Sequence, residues 1–388
     1  MIVSQLNLTD FRNYSTADVF LRPGANLFVG SNGQGKTNLV EALGYLSTLG
    51  SHRVSSEQAM IRQGQDAAII RARLENGDRQ LLVEVQLNRV GANRAQVNRS
   101  VIKMRELPRY FSSVLFAPED LALVRGEPSG RRRFLDELLV LRNPRFSGVM
   151  ADYDRVLKQR NTLLKSARSA GVKGSQLNTL EIWDDRLVTL GSELIEARTT
   201  LVAELLPEVT AAYERIAGED HHAILTNQLS ILADHPELDG DSPEGDRGGI
   251  VTAIEAATHF RNSLERLRRN ELDRGVSLVG PHRDDLILHL NGMPARGYAS
   301  HGESWSFALA LKLASAELLR RESAAGDPVL ILDDVFAELD QSRRGRLAGA
   351  IAGFEQVLIT AAVFDDVPPE LRSHTVQISA GTIVEPQP

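Results

Sequence analysis

The chain has 388 residues, with 44 Lys and Arg against 51 Asp and Glu, a formal charge of −7. That balance excludes a uniformly basic coat for nucleic acid, and 42% apolar with 24% charged residues excludes a disordered or fibrous chain. The length suggests two domains or one elaborated one, and the absence of cysteine excludes disulfides, thiolate nucleophiles and cysteine-type zinc sites.

No run of about eighteen apolar residues is present, so no membrane partner is expected. The start, MIVSQLNLTDFRNY, lacks a basic segment followed by an apolar one, so a cytoplasmic location is expected. Ile2 to Leu8 alternate apolar and polar residues, the pattern of a half-buried strand. Ala25 to Val29 form a second short strand, followed by a Gly-rich loop and a helical pattern at Leu39, Val40, Leu43 and Leu46. Ala67–Leu74 and Gln80–Leu87 flank Asn76-Gly77, a dipeptide that tolerates the positive φ angles of a type I′ hairpin turn. Ser112–Phe116 reads as another strand.

From about Pro118 to Arg274 the pattern is helical. Phe146, Met150, Tyr153, Leu157, Leu164 and Ala167 recur at spacings of three and four, with Arg160 interrupting the stripe. After a Gly-containing break at Ser169–Ser175, Leu180, Trp183, Leu187, Leu190, Leu194, Ala197 and Leu201 repeat the scheme. This predicts a helical hairpin with coiled-coil-like packing and arms on the order of 40 Å. Asp234–Gly249 is acidic and rich in Gly and Pro, which fits a surface loop. From Val276 onward β/α character returns: a strand at Leu286–Leu290, a helix from about Glu303 to Arg321, strands at Val329–Leu332 and Gln356–Thr360, and a β ending. The expected class is α/β. The two β/α ends, 1–117 and 276–388, form one domain, and a mainly helical second domain, 118–275, is inserted between them.

Gly30–Thr37 (GSNGQGKT) matches G-x-x-x-x-G-K-[ST], follows a strand and opens a helix, as a phosphate-binding loop must. Gly30, Gly33 and Gly35 let backbone N–H groups turn inward as an anion nest, to which the helix dipole adds. Ser31, Asn32 and Gln34 fill the loop and Asn38 follows it. Lys36 is expected on the β- and γ-phosphates of ATP and Thr37 on Mg²⁺. Val329–Asp334 (VLILDD) is an apolar strand delivering two carboxylates at its tip, the form of a Walker B element. Asp333 is the metal-side candidate and Asp334 the candidate general base for the attacking water. A strand end with one helix-capping Asp explains one carboxylate, but not two.

An arm inserted between the two motifs resembles the ABC-type heads of the structural-maintenance-of-chromosomes class. Ser300-His301-Gly302-Glu303, before a long apolar helix, is similar to their S-x-G-[EQ] signature, although an ordinary capping box has the same spacing. Phe11-Arg12-Asn13-Tyr14, GSNGQGKTN, Phe116–Asp120 (FAPED), Gly126–Asp136 (GEPSGRRRFLD), Gly280–Asp285 (GPHRDD) and LDDVFAELD together resemble the RecF family of recombination-mediator ATPases over nearly the whole chain. FRNY and GPHRDD are the most specific, since generic ABC heads lack them. The resemblance implies ATP-dependent homodimerisation, DNA binding, slow ATP hydrolysis, and co-operation with RecR and RecO in loading RecA at single-stranded gaps. It also places Arg12 and Asn13 near the nucleotide, Ser300, Gly302 and Glu303 at the nucleotide of the other subunit, and Asp340 of AELD facing that subunit. Two elements of the general ABC pattern are missing: no Q-loop glutamine stands near Glu119-Asp120, and Thr360-Ala361-Ala362 replaces the switch histidine. A weak, DNA-stimulated ATPase acting as a switch is therefore expected.

Charge is segregated along the chain. Gly130–Gly174 holds eleven Lys/Arg against four Asp/Glu, and Gln86–Tyr110 six against one, whereas Ser175–Thr258 holds four against seventeen. Arg89, Arg94, Arg99, Lys103 and Arg105, with Arg131, Arg132 and Arg133, are the candidate contacts to a DNA backbone. No aromatic residues interleave them, so binding without sequence preference is expected. Solvated helix and hairpin faces are the plain alternative for any one of these arginines. Other readings are a chromosome-organising ATPase head, a transporter-type ATPase subunit and a P-loop kinase. The short arm, the missing Q-loop and switch histidine, and the wide motif spacing speak against them in turn.

Overall fold

The computed structural model describes residues 1–170, 178–218, 221–233, 246–247, 249–323 and 326–384. The chain divides into two compact units: Met1–Val124, Glu208–His221 and Ser300–Pro388 form unit 1, and Arg125–Pro207 with His222–Ala299 form unit 2. In chain order the first part of unit 1 contains β1 (Ile2–Phe11), β2 (Tyr14–Phe20), β3 (Gly24–Val29), α1 (Lys36–Thr48), β4 (Ala67–Asn76), β5 (Arg79–Asn88), β6 (Arg94–Val97), β7 (Ser100–Ile102) and β8 (Ser113–Phe116). The short α2 (Leu121–Arg125) leads out of it. Next come α3 (Pro128–Arg142), α4 (Arg145–Ala170), α5 (Asn178–Ala217), β9 (Ala223–Gln228), β10 (Asp246–Arg247), α6 (Ala253–Arg274), β11 (Asp285–Leu290), β12 (Met293–Pro294) and α7 (Ala295–Tyr298). The chain closes with α8 (His301–Glu322), β13 (Val329–Asp333), α9 (Gln341–Ile351), β14 (Gln356–Ala361), β15 (His374–Ser379) and β16 (Thr382–Val384).

Unit 1 has two six-stranded sheets. One is an antiparallel meander ordered β2-β1-β4-β5-β6-β7; the other is ordered β16-β15-β3-β14-β13-β8 and is parallel except at the β16 edge. β13 and β14 are buried along their whole length, which is why VLILD and QVLITA read as continuous apolar runs and not as alternation. β1 does alternate, but its register with β4 slips between Val3 and Gln5. The extra residue lets Val3 and Leu6, three apart, both face the core. Leu39, Val40, Leu43 and Leu46 of α1 share one apolar core with Val3 and Leu6 of β1, Ile70 of β4 and Ile331 of β13.

Three expectations change. β2, β6, β7 and β9 were not foreseen, being short or polar, and their partners complete them: β9 pairs along its full length with β11. That pairing carries 276–299 into unit 2, so the boundaries expected at 118 and 275 stand instead near 124 and 299. The hairpin loop is Gly77-Asp78, not Asn76-Gly77, because Asn76 still pairs with Arg79. Of these loop residues only Gly77 has positive φ, the glycine-first pattern of a II′ turn.

In unit 2, α4 and the part of α5 up to Pro207 form the expected helical pair; α5 as a whole is longer than foreseen at 40 residues, on the order of 60 Å, and its last residues, from Glu208, belong to unit 1. Residues 171–177, which hold most of the predicted break, and most of the acidic 234–249 segment lie outside the described residues. Arg160 interrupts the apolar stripe of α4 because it is a buried ion-pair centre. Its guanidinium donates to Asp184 (2.7 Å), Glu271 (2.5 Å) and Ser277 Oγ (2.6 Å). Among the described residues no helix is long and apolar enough to cross a membrane.

Candidate functional site

The parallel sheet brings the two sequence motifs to one edge. β14 lies between β3 and β13, in a register that aligns Ala361 with Val29 and Thr360 with Asp333. The C-terminal ends of three neighbouring strands thus deliver the Gly30 loop, Thr360 and the Asp333-Asp334 pair together, which is where parallel sheets hold ligands. Gly33 and Gly35 take φ of 80° and 117°, and a Cβ on Gly35 would lie 2.8 Å from both Asn13 Nδ2 and Tyr14 Oη. A Cβ on Gly30 would run into the carbonyl oxygen of Ile378. The loop therefore needs glycine for conformation at two positions and for space at Gly30 and Gly35.

Lys36 opens α1 and is buried; its Nζ folds back to donate to the carbonyls of Gly30 (2.8 Å) and Ser31 (3.3 Å). Thr37 Oγ1 donates to Asp333 Oδ1 at 2.9 Å, across 296 residues of sequence. The same oxygen accepts from Thr360 Oγ1 at 2.6 Å, and Thr360 Oγ1 accepts from the backbone N–H of Asp334 at 2.9 Å. Thr360 thus ties the two carboxylate residues together. Asp334 has φ 52° and ψ 20°, a left-handed conformation that costs a non-glycine residue of order 1 kcal/mol or more. Burial raises its carboxyl pKa, Lys36 opposes that shift and Asp333 adds to it. Its Oδ1 is buried with no partner among the described residues.

This donor set fits a nucleotide phosphate chain with a divalent cation. Among the described residues Lys36 holds only carbonyls, which phosphate oxygens can replace; Thr37 and Asp333 offer a hydroxyl and a carboxylate at one point; and Asp334 has an acceptor beside them that no described residue meets.

The FRNY segment braces the loop. Asn13 Nδ2 donates to the Gln34 carbonyl (3.0 Å), Asn38 Nδ2 donates to Asn13 Oδ1 (2.7 Å), and Tyr14 Oη donates to the Gly35 carbonyl (3.1 Å). Gln34 is held from the other side by the backbone N–H groups of Ala380 and Gly381, while Asn32 is exposed. Arg12 is committed elsewhere: it forms a bidentate pair with the buried Glu41 of α1 at 2.8 and 2.5 Å and donates to the Ala59 carbonyl. It lines a cavity of about 820 Å³ with Asn13, Asn38, Arg53, Arg62 and Arg89.

Ser300 caps α8 and forms a full capping box with Glu303: Ser300 N–H donates to Glu303 Oε2 (2.7 Å) and Glu303 N–H to Ser300 Oγ (3.3 Å). Hydrogen bonds from Ser300 hold the Glu303 carboxyl below its ordinary pKa. Asp340 caps α9 by accepting from Arg343 N–H (2.9 Å), which lowers its pKa in the same way. Arg343 also sits against Gly302, where a Cβ would lie 2.6 Å from its Nη1. It joins the S-x-G-E turn to the AELD turn, a role sequence reasoning missed because nothing in its spacing marks it. Asp120 is occupied by the Ala117 N–H and an ion pair to Lys312 (2.9 Å).

Of the candidate DNA contacts in unit 1, Arg94, Arg99, Lys103 and Arg105 are exposed along β6, β7 and the turn after them. Arg89 is half-buried and donates to the carbonyls of Gln65 and Arg62. The arginines of α3 need correction. Arg131 is buried in a bidentate pair with Asp285 (both 2.7 Å), Arg132 donates to the Asp284 carbonyl (2.7 Å), and only Arg133 is exposed, paired to Glu137. GRRRF and GPHRDD therefore interlock inside unit 2: an arginine run looks the same in sequence whether it faces water or an aspartate 154 residues away.

The RecF/RecN/SMC N terminal domain family model matches residues 2–376. The chain is 67% identical over 387 residues to the DNA replication and repair protein RecF of Leifsonia xyli subsp. xyli, covering 100% of both chains. The chain belongs to the RecF family. It is also 66% identical to RecF of Clavibacter sepedonicus, over 99% of this chain and 95% of that one. Among solved structures it resembles the recombination mediator protein RecF-ATP of the RecFOR pathway, with a TM-score of 0.84, 27% identity and coverage of 99% and 98%. An Smc head domain from Pyrococcus furiosus, at 14% identity and a TM-score of 0.52, shares the fold alone. The RecF-family fold is thus an ABC-ATPase-like head with mixed sheets and helices.

Proposed function

We propose that this chain is an ATP-switched DNA-binding protein of recombinational repair and replication restart. ATP joins two copies through the phosphate loop of one and the Ser300 turn of the other. The dimer grips DNA at single-strand gaps without reading sequence, and with RecR- and RecO-type partners it helps load the RecA recombinase. What carries this reading is the meeting of Thr37 with Asp333 at 2.9 Å beside the unmet Asp334 oxygen, in a chain whose relatives are named for DNA replication and repair. Bound Mg²⁺ would supply charge neutralisation at the phosphates, with Thr37 and Asp333 holding it. Lys36 exchanges its loop carbonyls for phosphate oxygens, and Asp334, raised in pKa by burial, orients and takes a proton from water. With Thr360 in place of a histidine, and with Asp334 where transporter-type heads usually carry the longer glutamate, turnover stays below ~1 s⁻¹, under that of ordinary enzymes.

The test is sedimentation of wild type, Lys36→Met and Ser300→Ala with ATP, with and without gapped DNA. Wild type should dimerise with ATP and bind DNA, and both variants should stay monomeric. A wild type that remains monomeric and ignores DNA overturns the reading. Replacing Arg99 and Arg105 by Ala should flatten the dependence of log affinity on log salt by about two phosphate contacts, whereas Arg131→Lys should leave that slope unchanged.

A further inference from the structure

The loop after α1 holds a side chain that neither the motifs nor the family resemblance point to. Residues 51–54 fold around one hydroxyl: Ser51 Oγ accepts from the backbone N–H of Arg53 (3.0 Å) and Val54 (3.2 Å) and donates to Glu41. Ser51 and Glu41 are both buried, so this turn is fastened to the helix that carries Lys36 and Thr37. Arg53 reaches Asn38 Oδ1 at 2.9 Å. His52 turns to Asp333 instead. Its Nε2 stands 3.8 Å from Asp333 Oδ2, and it is buried with no hydrogen-bond partner among the described residues. Asp333 Oδ1 is already taken by Thr37 and Thr360, so the oxygen facing His52 is the other one.

A buried ring nitrogen without a partner is a cost that folding normally removes. The contrast lies in the same molecule: half-buried His282 has Tyr153 Oη at 2.8 Å from Nδ1 and the Ser277 carbonyl at 3.4 Å from Nε2. His52 Nε2 is beyond hydrogen-bond range of Asp333 by well under 1 Å, while its backbone is pinned by Ser51. Groups that orient a cation's carboxylate through its free oxygen have this placement.

We propose that His52 is a positioning residue, which holds the Asp333 carboxylate in its cation-binding orientation and gains its missing hydrogen bond only when Mg²⁺ and nucleotide phosphates are bound. The proposal rests on the ATP reading of Lys36, Thr37 and Asp333. It also explains why the turn is fastened so tightly to α1: His52 and Thr37 then approach Asp333 from a single rigid element.

The experiment measures binding of a fluorescent, non-hydrolysable ATP analogue to the full chain, once with Mg²⁺ and once with EDTA. Wild type should bind more tightly with Mg²⁺. His52→Ala should lose about ten-fold or more of that Mg²⁺-dependent gain, with less than a two-fold change in EDTA and an unchanged melting temperature without nucleotide. His52→Gln, which keeps an N–H donor, should recover part of the gain. Should His52→Ala not fold, His52→Phe keeps the ring without its nitrogens and carries the same comparison. A variant that keeps the full Mg²⁺ gain, or weakens equally in both media, overturns the proposal. Wild type that binds the analogue in neither medium overturns the ATP reading itself, a separate result.

Discussion

Two clusters of charged side chains in this molecule are built from similar residues and left in different states. At the ends of β3, β14 and β13 in unit 1, among the described residues, Lys36 holds only the carbonyls of its own loop, Asp334 has a left-handed backbone and a buried oxygen without a partner, and His52 has a buried nitrogen without one. In unit 2, Arg160 meets Asp184, Glu271 and Ser277, Arg131 meets Asp285, and Arg198 meets Asp136 at 2.8 Å and the Pro281 carbonyl at 2.7 Å. The difference separates a site from a scaffold. Folding has spent the hydrogen-bonding capacity of the second cluster on itself and left that of the first for something else. Asp284 crosses the division: its Oδ1 is held by Ser230, and its buried Oδ2 has no partner among the described residues.

The largest expected effect tests the scaffold. Arg160→Met should destabilise the protein by about 3–5 kcal/mol in urea titration, because it strands the buried Glu271 carboxylate without its cation and leaves Asp184 with Arg268 alone. ATP affinity should change less than two-fold, and a larger change would mean that the clusters are not separate. Next, Lys36→Met should weaken ATP binding at least about 100-fold, close to 2.7 kcal/mol, with the melting temperature of the free protein moving by no more than about 2 °C. A large loss of stability instead would make Lys36 part of the scaffold.

Asp284 sharpens the comparison through pH. Burial raises its carboxyl to about 6 in spite of Arg198 and Arg132. With the folded pKa above the unfolded one, the protonated form favours the fold. Its contribution is full below about pH 3.8 and is lost as pH rises through about 6. Asp284→Asn should therefore be more stable than wild type at pH 7, by an amount of order 2 kcal/mol, and the gain should vanish near pH 4. Equal stability differences at both pH values would contradict this. The smallest effect concerns Ser300→Ala, which removes a helix cap worth about 1 kcal/mol. That is its effect on stability alone; ATP-dependent dimerisation should be lost, and a dimer weakened by no more than this cap energy would mean that Ser300 only caps α8.

Much of unit 1 could be read from the chain. GSNGQGKT and VLILDD carry their conformational demands locally, in glycines at positive φ and in apolar runs that only a doubly covered parallel strand buries. The capping box at Ser300 was equally local. His52 was not legible, since a lone histidine after a helix carries no pattern and its meaning comes from Asp333, 281 positions away in sequence. Nor were β2 and β9, whose short or polar strands are fixed by the partners they pair with.

The net charge of −7 and the basic segments suggested arginines free for a polyanion, and the structure divides them. By itself the sequence determined the phosphate loop, the two-carboxylate strand tip and the α/β class, because these depend on residue types a few positions apart. Only the tertiary structure decided which charges were still available. Arg99 and Arg105 face water, while Arg131 and Arg160 are buried against carboxylates more than a hundred residues away, at Asp285 and Glu271. The physical reason is that an ion's state depends on its distance to its counter-ion and on its burial, and both are set by packing.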